Sequence, residues 1–155
     1  MPHAAHNFAD TANTLRRVGI DALFAPVRVR QVLPDECVRC SVASLFGLSR
    51  EEVPHFFAEN AGRWHVGLEA WLAQRGMKYE LWHASMTPPD EWYLGYGDSG
   101  PATAHMVVMH KGELWHDPLG CGVLRFESWL TIQRANVSAL AQSGGEKTTT
   151  KESNS

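Results

Sequence analysis

The sequence predicts an α+β fold in which helices come first along the chain and an antiparallel sheet follows. In two segments before Gly76, residues 37–46 and 64–75, the apolar residues fall at helical spacing, whereas residues 77–82 alternate apolar and polar side chains as in a strand. A Gly-containing turn at residues 110–112 separates two further apolar runs and indicates a hairpin of antiparallel strands. Helices followed by strands are typical of α+β folds rather than of alternating α/β folds.

Two amphipathic helices are predicted in the first half of the chain. One begins at or beside Cys37 and ends at Gly47, because apolar side chains recur at i, i+4 and i+7, namely Val38, Val42 and Leu45. The other covers roughly residues 64–75, where Leu68, Trp71 and Leu72 share one face, and Gly76 ends it.

Strands are predicted after Gly76. Residues 77–82 alternate apolar and polar side chains, and residues 106–109 and 113–116 flank the hairpin turn. The glycine-containing stretch 95–101 is interpreted as a loop, and residues 128–140 as an amphipathic segment with partial helical spacing.

Length and composition predict one domain, preceded by an N-terminal arm and followed by a C-terminal tail. A chain of 155 residues is long enough to bury a core without a metal or disulfide scaffold. Residues 1–27 are interpreted as an N-terminal arm of uncertain structure, residues 28–142 as the domain, and residues 143–155, which contain no core-forming side chain, as a disordered tail.

Charge and cysteine count narrow the function classes. The 14 Lys and Arg residues against 17 Asp and Glu residues give a net charge of −3, which argues against a nucleic-acid partner. Neither a membrane-spanning run nor a secretory signal is visible, so a cytoplasmic location without a membrane partner is expected. Three cysteines cannot all pair, so at least one free thiol is expected.

Cys37 is a candidate nucleophile. At a helix start, unpaired N–H groups and the positive end of the helix dipole favour a thiolate. Gln31 stands six residues earlier, and its side-chain amide could join the Cys37 N–H in stabilising the oxyanion formed when a thiolate attacks an acyl carbon.

His105 and Asp117 are the candidate base and its partner. A three-residue turn centred on Lys111 pairs residues whose numbers add to 222, which places His105 opposite Asp117 on one sheet face. That face would also carry Val107 and Trp115. A carboxylate there fixes the imidazole tautomer and leaves the second nitrogen to take a thiol proton. A register slip of one residue would bring His116 opposite His105 instead.

These residues resemble the papain-like cysteine hydrolases. The similar features are Gln31 before a Cys37 that opens a helix, His105 in the run His-Met-Val-Val, and Asp117 followed by Pro118. The chain is especially similar to the bacteriocin-leader peptidase domains of ABC transporters and to short bacterial and phage proteins of the same build.

The resemblance implies a papain-like fold, with N-terminal helices packed on a C-terminal antiparallel sheet. It implies Cys37 as nucleophile, His105 as base, Asp117 as the group that orients the base, and Gln31 as oxyanion donor. The implied activity is cleavage of an amide bond in a peptide, protein or related acyl substrate, without a cofactor or metal. Amidase, deamidase and acyl-transferase chemistry use the same apparatus.

Two departures leave alternatives open. Asp35 and Glu36 precede Cys37, and carboxylates near the sulfur would raise the pKa of the thiol unless Arg39 offset them. A noncatalytic papain-like binding module is therefore one alternative. Another is a zinc site built on Cys37 and Cys40, for which His105, His116 or Cys121 would supply further ligands.

Overall fold

The computed structural model describes residues 23–88, 91–100 and 104–135. Over these residues the chain has three α-helices and a five-stranded antiparallel sheet, which confirms the α+β class. The helices are α1 Cys37–Phe46, α2 Phe56–Glu59 and α3 Trp64–Ala73. The strands are β1 Met77–His83, β2 Trp92–Asp98, β3 His105–His110, β4 Glu113–His116 and β5 Arg125–Arg134. The predicted tail and residues 1–22 of the predicted arm lie outside the described residues.

Helix α1 begins at Cys37, as predicted, and Gly47 ends it in a left-handed conformation with φ of 67°. A side chain at Gly47 would overlap the backbone carbonyl of Ala25, because the arm passes close to this helix end. The N–H of Val27 donates to the carbonyl of Ser44 over 2.8 Å. The described part of the arm is therefore attached to α1.

Strand β5 lies inside the sheet, whose order is β1-β5-β2-β3-β4. The helical interpretation of residues 128–140 is wrong for residues 128–134, which belong to this strand, and residues 136–140 lie outside the described residues. Leu130 and Ile132 are buried on one face, and β5 pairs with β1 on one side and β2 on the other. Pairing on both sides and the burial of three consecutive residues, Leu130, Thr131 and Ile132, outweigh the partial helical spacing.

Strand β2 includes residues 95–98, which the glycine content had indicated as a loop, so that prediction is wrong. These glycines have a different purpose. A Cβ at Gly97 would overlap the backbone of Arg125, and one at Gly95 would lie 2.7 Å from the ring of Phe126. Glycine is therefore needed where β5 approaches β2 closely.

The hairpin between β3 and β4 has a different turn from the one predicted. Lys111 and Gly112 both have positive φ, 51° and 81°, which makes a two-residue turn and pairs His110 with Glu113. A register shift then pairs Val108 with His116. The predicted three-residue loop and its register are therefore wrong.

Because the register differs, Asp117 and Trp115 do not lie where the predicted pairing placed them. His105 pairs with Gly97 of β2, and Asp117 lies just beyond the end of β4 rather than opposite His105. Trp115 packs against the cluster that contains Met106, not against the one that contains Val107. Before the register shift the predicted faces of β4 are therefore reversed, as a one-residue slip requires, and the shift returns His116 to the face of Val108.

The main core lies between the helices and the sheet. It contains fully buried side chains from α1, α3 and four of the strands, among them Val42, Leu72, Leu94, Met106 and Leu130. A smaller cluster formed by Tyr93, Val107 and Met109 is packed against Val123, Phe126 and Trp129. In the described part of the chain, no helix combines the length and apolarity that crossing a bilayer requires.

Replacing Gly97 with Ala is expected to lower the free energy of unfolding by about 2 to 3 kcal/mol, because the new methyl group meets backbone that cannot rotate away. Gly95→Ala should cost less, since the obstacle there is the movable ring of Phe126. Urea denaturation of both variants measures the difference. Equal costs would contradict the close backbone approach of β5 at Gly97.

Candidate active site

Cys37 occupies the first position of α1 and is partly buried. Burial raises the pKa of the Cys37 thiol, and the carboxylate of Asp35 raises it further. Hydrogen bonds from the backbone of Met106 and Val38 act in the opposite direction and lower it. The helix start and strand β3 thus each supply a donor to the sulfur, but the balance favours the neutral thiol.

His105 is buried at the start of β3 and forms a short hydrogen bond with Asp117. Its Nε2 lies 2.6 Å from Oδ1 of the carboxylate. Asp117 also accepts from the backbone N–H groups of Leu119, Gly120 and Gly122, at 3.0, 2.9 and 2.7 Å. Although burial alone would raise the pKa of Asp117, the His105 and backbone hydrogen bonds lower it. The residue is therefore an anchored carboxylate.

This arrangement determines which imidazole nitrogen is available. Because Nε2 of His105 is engaged by Asp117, Nδ1 remains for a proton acceptor role. The turn in which Asp117 accepts three backbone hydrogen bonds also places its carboxylate on the imidazole of His105. Asp117 can therefore stabilise this turn and orient His105 at the same time.

One cleft of about 430 Å³ has Gln31, Cys37 and His105 among its lining residues. Asp117 contacts His105 beside the cleft without lining it. The structure therefore brings all four predicted site residues into one region. The imidazole and the carboxylate meet even though the predicted strand pairing is absent, because Asp117 reaches His105 from the loop after β4.

Gln31 is held by the loop that follows Asp117. Its backbone N–H donates to the carbonyl of Pro118 over 2.9 Å, and close by Nε2 of His116 lies 2.7 Å from the carbonyl of Val29. The side-chain Oε1 of Gln31 is buried and has no hydrogen-bond partner among the described residues. Buried polar side-chain atoms without a partner are few in native proteins, so the position of this oxygen calls for an explanation.

Glu36 has a structural role that the sequence pattern did not reveal. It is fully buried, and its carboxylate binds Arg39 at 2.8 Å and Arg50 at 2.9 Å. It also accepts from the N–H groups of Val32 and Leu33, at 3.2 and 2.8 Å. Burial alone would raise the pKa of Glu36, but Arg50, the two backbone donors and Arg39 hold it at about 2.

The two carboxylates before the nucleophile therefore act differently. Glu36 is neutralised by arginines, and Arg39 offsets the charge of this residue. Asp35 is exposed, lines the cleft and raises the pKa of Cys37. Asp35 is thus the acidic neighbour that adds to the unfavourable environment of the thiolate.

The other two cysteines lie in different surroundings. Cys40 is fully buried, its thiol points to the carbonyl of Arg30, and burial together with the charge of Glu36 raises its pKa to about 11. Cys121 is exposed, and all three thiols are free.

The zinc alternative required Cys37 and Cys40 to share one metal. Among the described residues, the group suited to a metal by proximity consists of His105, Asp117 and Cys121, whose ligand atoms lie within 4.8 Å of one another. Neither Cys37 nor Cys40 belongs to this group. Among the described residues, Cys37 and Cys40 therefore do not form the zinc site that the sequence suggested.

Comparisons with known proteins gave no match. No protein-family model fits the chain, and no curated protein and no solved structure is similar enough to count as a relative. The chemistry of this cleft is therefore inferred from the geometry of its residues.

Replacing Glu36 with Gln is expected to lower the free energy of unfolding at pH 7 by about 3 kcal/mol, because Arg39 and Arg50 lose a buried partner. Urea denaturation measures the loss. The exposed residue Glu113 supplies a control of equal charge change, and Glu113→Gln should leave stability nearly unchanged. Equal small effects in both variants would contradict the assigned role of Glu36.

The free energy of unfolding at acidic pH should also depend on the carboxylate of Glu36. The folded pKa of Glu36, about 2, lies below its ordinary value of 4.5, so its stabilising contribution is complete above pH 4.5 and disappears as the pH falls towards 2. Across this window the wild type should lose more unfolding free energy than Glu36→Gln. Asp117, whose pKa is also lowered, accounts for part of the remaining acid sensitivity.

Proposed function

We propose that the protein is a papain-like cysteine hydrolase that cleaves an amide bond in a peptide, protein or related acyl substrate. The observation that carries this proposal is the shared cleft of Cys37 and His105, together with the carboxylate of Asp117 on the far nitrogen of the imidazole. A nucleophile, a base and a group that orients the base are the side chains that triad hydrolases use for acyl transfer. The reaction needs no cofactor.

In the proposed mechanism, Nδ1 of His105 takes the proton of the Cys37 thiol as the sulfur attacks the substrate carbonyl carbon. The carbonyl oxygen becomes an oxyanion, and the Cys37 N–H and the Gln31 side-chain amide donate to it. His105 then gives its proton to the leaving amine. Water, deprotonated by His105, attacks the thioester and releases the acid and the thiol.

Asp117 supports both halves of this cycle. A lowered pKa keeps it charged, so it stabilises the imidazolium that forms when the thiol proton is transferred. Its three backbone donors fix the carboxylate, and the carboxylate in turn fixes the ring. Asp117 is thus a positioning residue, whereas Cys37 and His105 are the catalytic residues.

A noncatalytic binding module is the second candidate, and one specific observation favours it. Burial and Asp35 raise the pKa of Cys37, which opposes a thiolate at neutral pH. In a hydrolase, transfer of the proton to His105 would compensate for this, since the imidazolium would stabilise the thiolate beside it. The reactivity of the thiol therefore separates the two candidates.

Iodoacetamide at mildly acidic pH should alkylate Cys37 about tenfold faster than an ordinary thiol, because the imidazolium keeps part of the sulfur as thiolate. The measurement uses the Cys121→Ser background, which removes the exposed thiol. Free cysteine is the reference for an ordinary thiol, because Cys40 is fully buried. Peptide mass spectrometry quantifies the label on each residue over time.

His105→Ala should abolish the fast labelling of Cys37. The exposed His83 provides the matched control, and His83→Ala should label like the parent. Slow, equal labelling of Cys37 and Cys40 in the parent would contradict the hydrolase and favour the binding module.

Gln31→Ala should lower hydrolysis of an activated substrate, such as a p-nitrophenyl ester of an N-acyl amino acid, about 100-fold. Alkylation of Cys37 by iodoacetamide should stay unchanged, because displacement of iodide produces no oxyanion. Gln74, an exposed amide near the end of α3, gives the control variant Gln74→Ala. Equal losses of alkylation and hydrolysis in Gln31→Ala would indicate a structural defect instead of a lost oxyanion donor.

A further inference from the structure

We infer that the cleft binds a peptide segment in which an apolar side chain is adjacent to a cationic one, and that Asp35 binds the cation. The inference rests on the proposed hydrolase function, because the occupant of the cleft is then the substrate. It adds the substrate class, which the nucleophile and its base do not specify.

The walls of the cleft are unusually apolar for exposed surface. Val32 is 73% exposed, Leu33 48% and Leu119 46%, and all three line the cleft together with Pro34 and Ala104. Large apolar side chains gathered around a concavity mark binding sites more often than chance exposure. They provide a surface for an aliphatic or aromatic substrate side chain next to Cys37.

Asp35 is the one carboxylate among the cleft-lining residues, and no Lys or Arg lines the cleft with it. It makes no ion pair or hydrogen bond with its side chain in the described part of the chain, whereas Glu36 beside it binds two arginines. Its φ of 60° is a left-handed conformation that Asp tolerates better than most residues but that still carries strain.

The charge of Asp35 acts on the nucleophile as well. It raises the pKa of Cys37, so it suppresses the thiolate while the cleft is empty. A bound cation would offset this charge. A substrate with a basic residue would then be held by Asp35 and would at the same time favour the reactive form of Cys37.

Three methanethiosulfonate reagents that differ in charge test the inference in the Cys121→Ser background. In each, the Cys37 thiolate attacks the reagent's sulfenyl sulfur, a disulfide forms and methanesulfinate leaves. We expect the trimethylammonioethyl reagent to modify Cys37 about fivefold faster than the neutral methyl reagent, and the anionic sulfonatoethyl reagent to be slowest. Rates are normalised to those of each reagent with free cysteine, and high salt should reduce the preference.

Asp35→Asn should remove the preference for the cation, and asparagine also tolerates positive φ. Glu113→Gln changes the net charge equally at a residue outside the cleft lining and should keep the preference. In a second measurement, acetyl-Leu-Lys-Leu-amide should protect Cys37 better than acetyl-Leu-Glu-Leu-amide, and only when Asp35 is present.

The outcomes separate the two proposals. Fast, histidine-dependent labelling of Cys37 without a charge preference, or with one that persists in Asp35→Asn, would overturn the inference and leave the hydrolase standing. Labelling of Cys37 that is slow with every reagent and indifferent to His105 would overturn the hydrolase and, with it, a substrate role for the cleft.

Discussion

The buried carboxylate of Glu36 is the interaction on which the geometry of the cleft depends. It joins three separate pieces of chain: the segment after Gln31 through two backbone N–H groups, α1 through Arg39, and the turn after α1 through Arg50. A buried charge is tolerated only when it is fully paired, so these pieces cannot drift apart without exposing an unpaired group at high cost. Cys37 follows Glu36 directly and is fixed with it.

The carboxylate of Asp117 likewise joins separate pieces of the chain that surrounds the cleft. Its carboxylate gathers the loop after β4 and the imidazole of His105, and this loop receives the backbone of Gln31 at Pro118. The two carboxylates therefore fix opposite walls, and Gln31 connects them. Both are ionised well below neutral pH, because donors surround each of them. The site is consequently built from fixed charges and backbone donors rather than from flexible side chains.

Local patterns predicted much of the fold, and the errors have two physical origins. The start of α1, its end at Gly47 and strand β1 were predicted because helical or alternating spacing is a local property. The predictions for residues 95–98 and 128–134 were wrong because the structure of both segments depends on strands that are distant in sequence. The close approach of β5 makes glycine suitable in β2, and the neighbouring elements bury both faces at the centre of β5. The hairpin register was wrong because Lys111 adopts a left-handed conformation unusual for lysine. Arg39 was within reach of the sequence as a partner of the acidic pair, because it lies one helical turn after Glu36, whereas Arg50 was not, because it lies beyond the helix.

The environment of Cys37 explains why chain order could indicate a nucleophile yet could not specify its reactivity. The helix start and the donors from Met106 and Val38 favour a thiolate, and these follow from where the helix begins and packs. Burial and the charge of Asp35 oppose it, and their strength depends on the depth of the cleft and on what occupies it. An enzyme gains selectivity when the groups that hinder its resting nucleophile are the same groups that the correct substrate neutralises, because binding energy then favours the reactive state only in the complex. A thiol with a raised pKa is therefore compatible with catalysis when a carboxylate that raises it also faces the substrate.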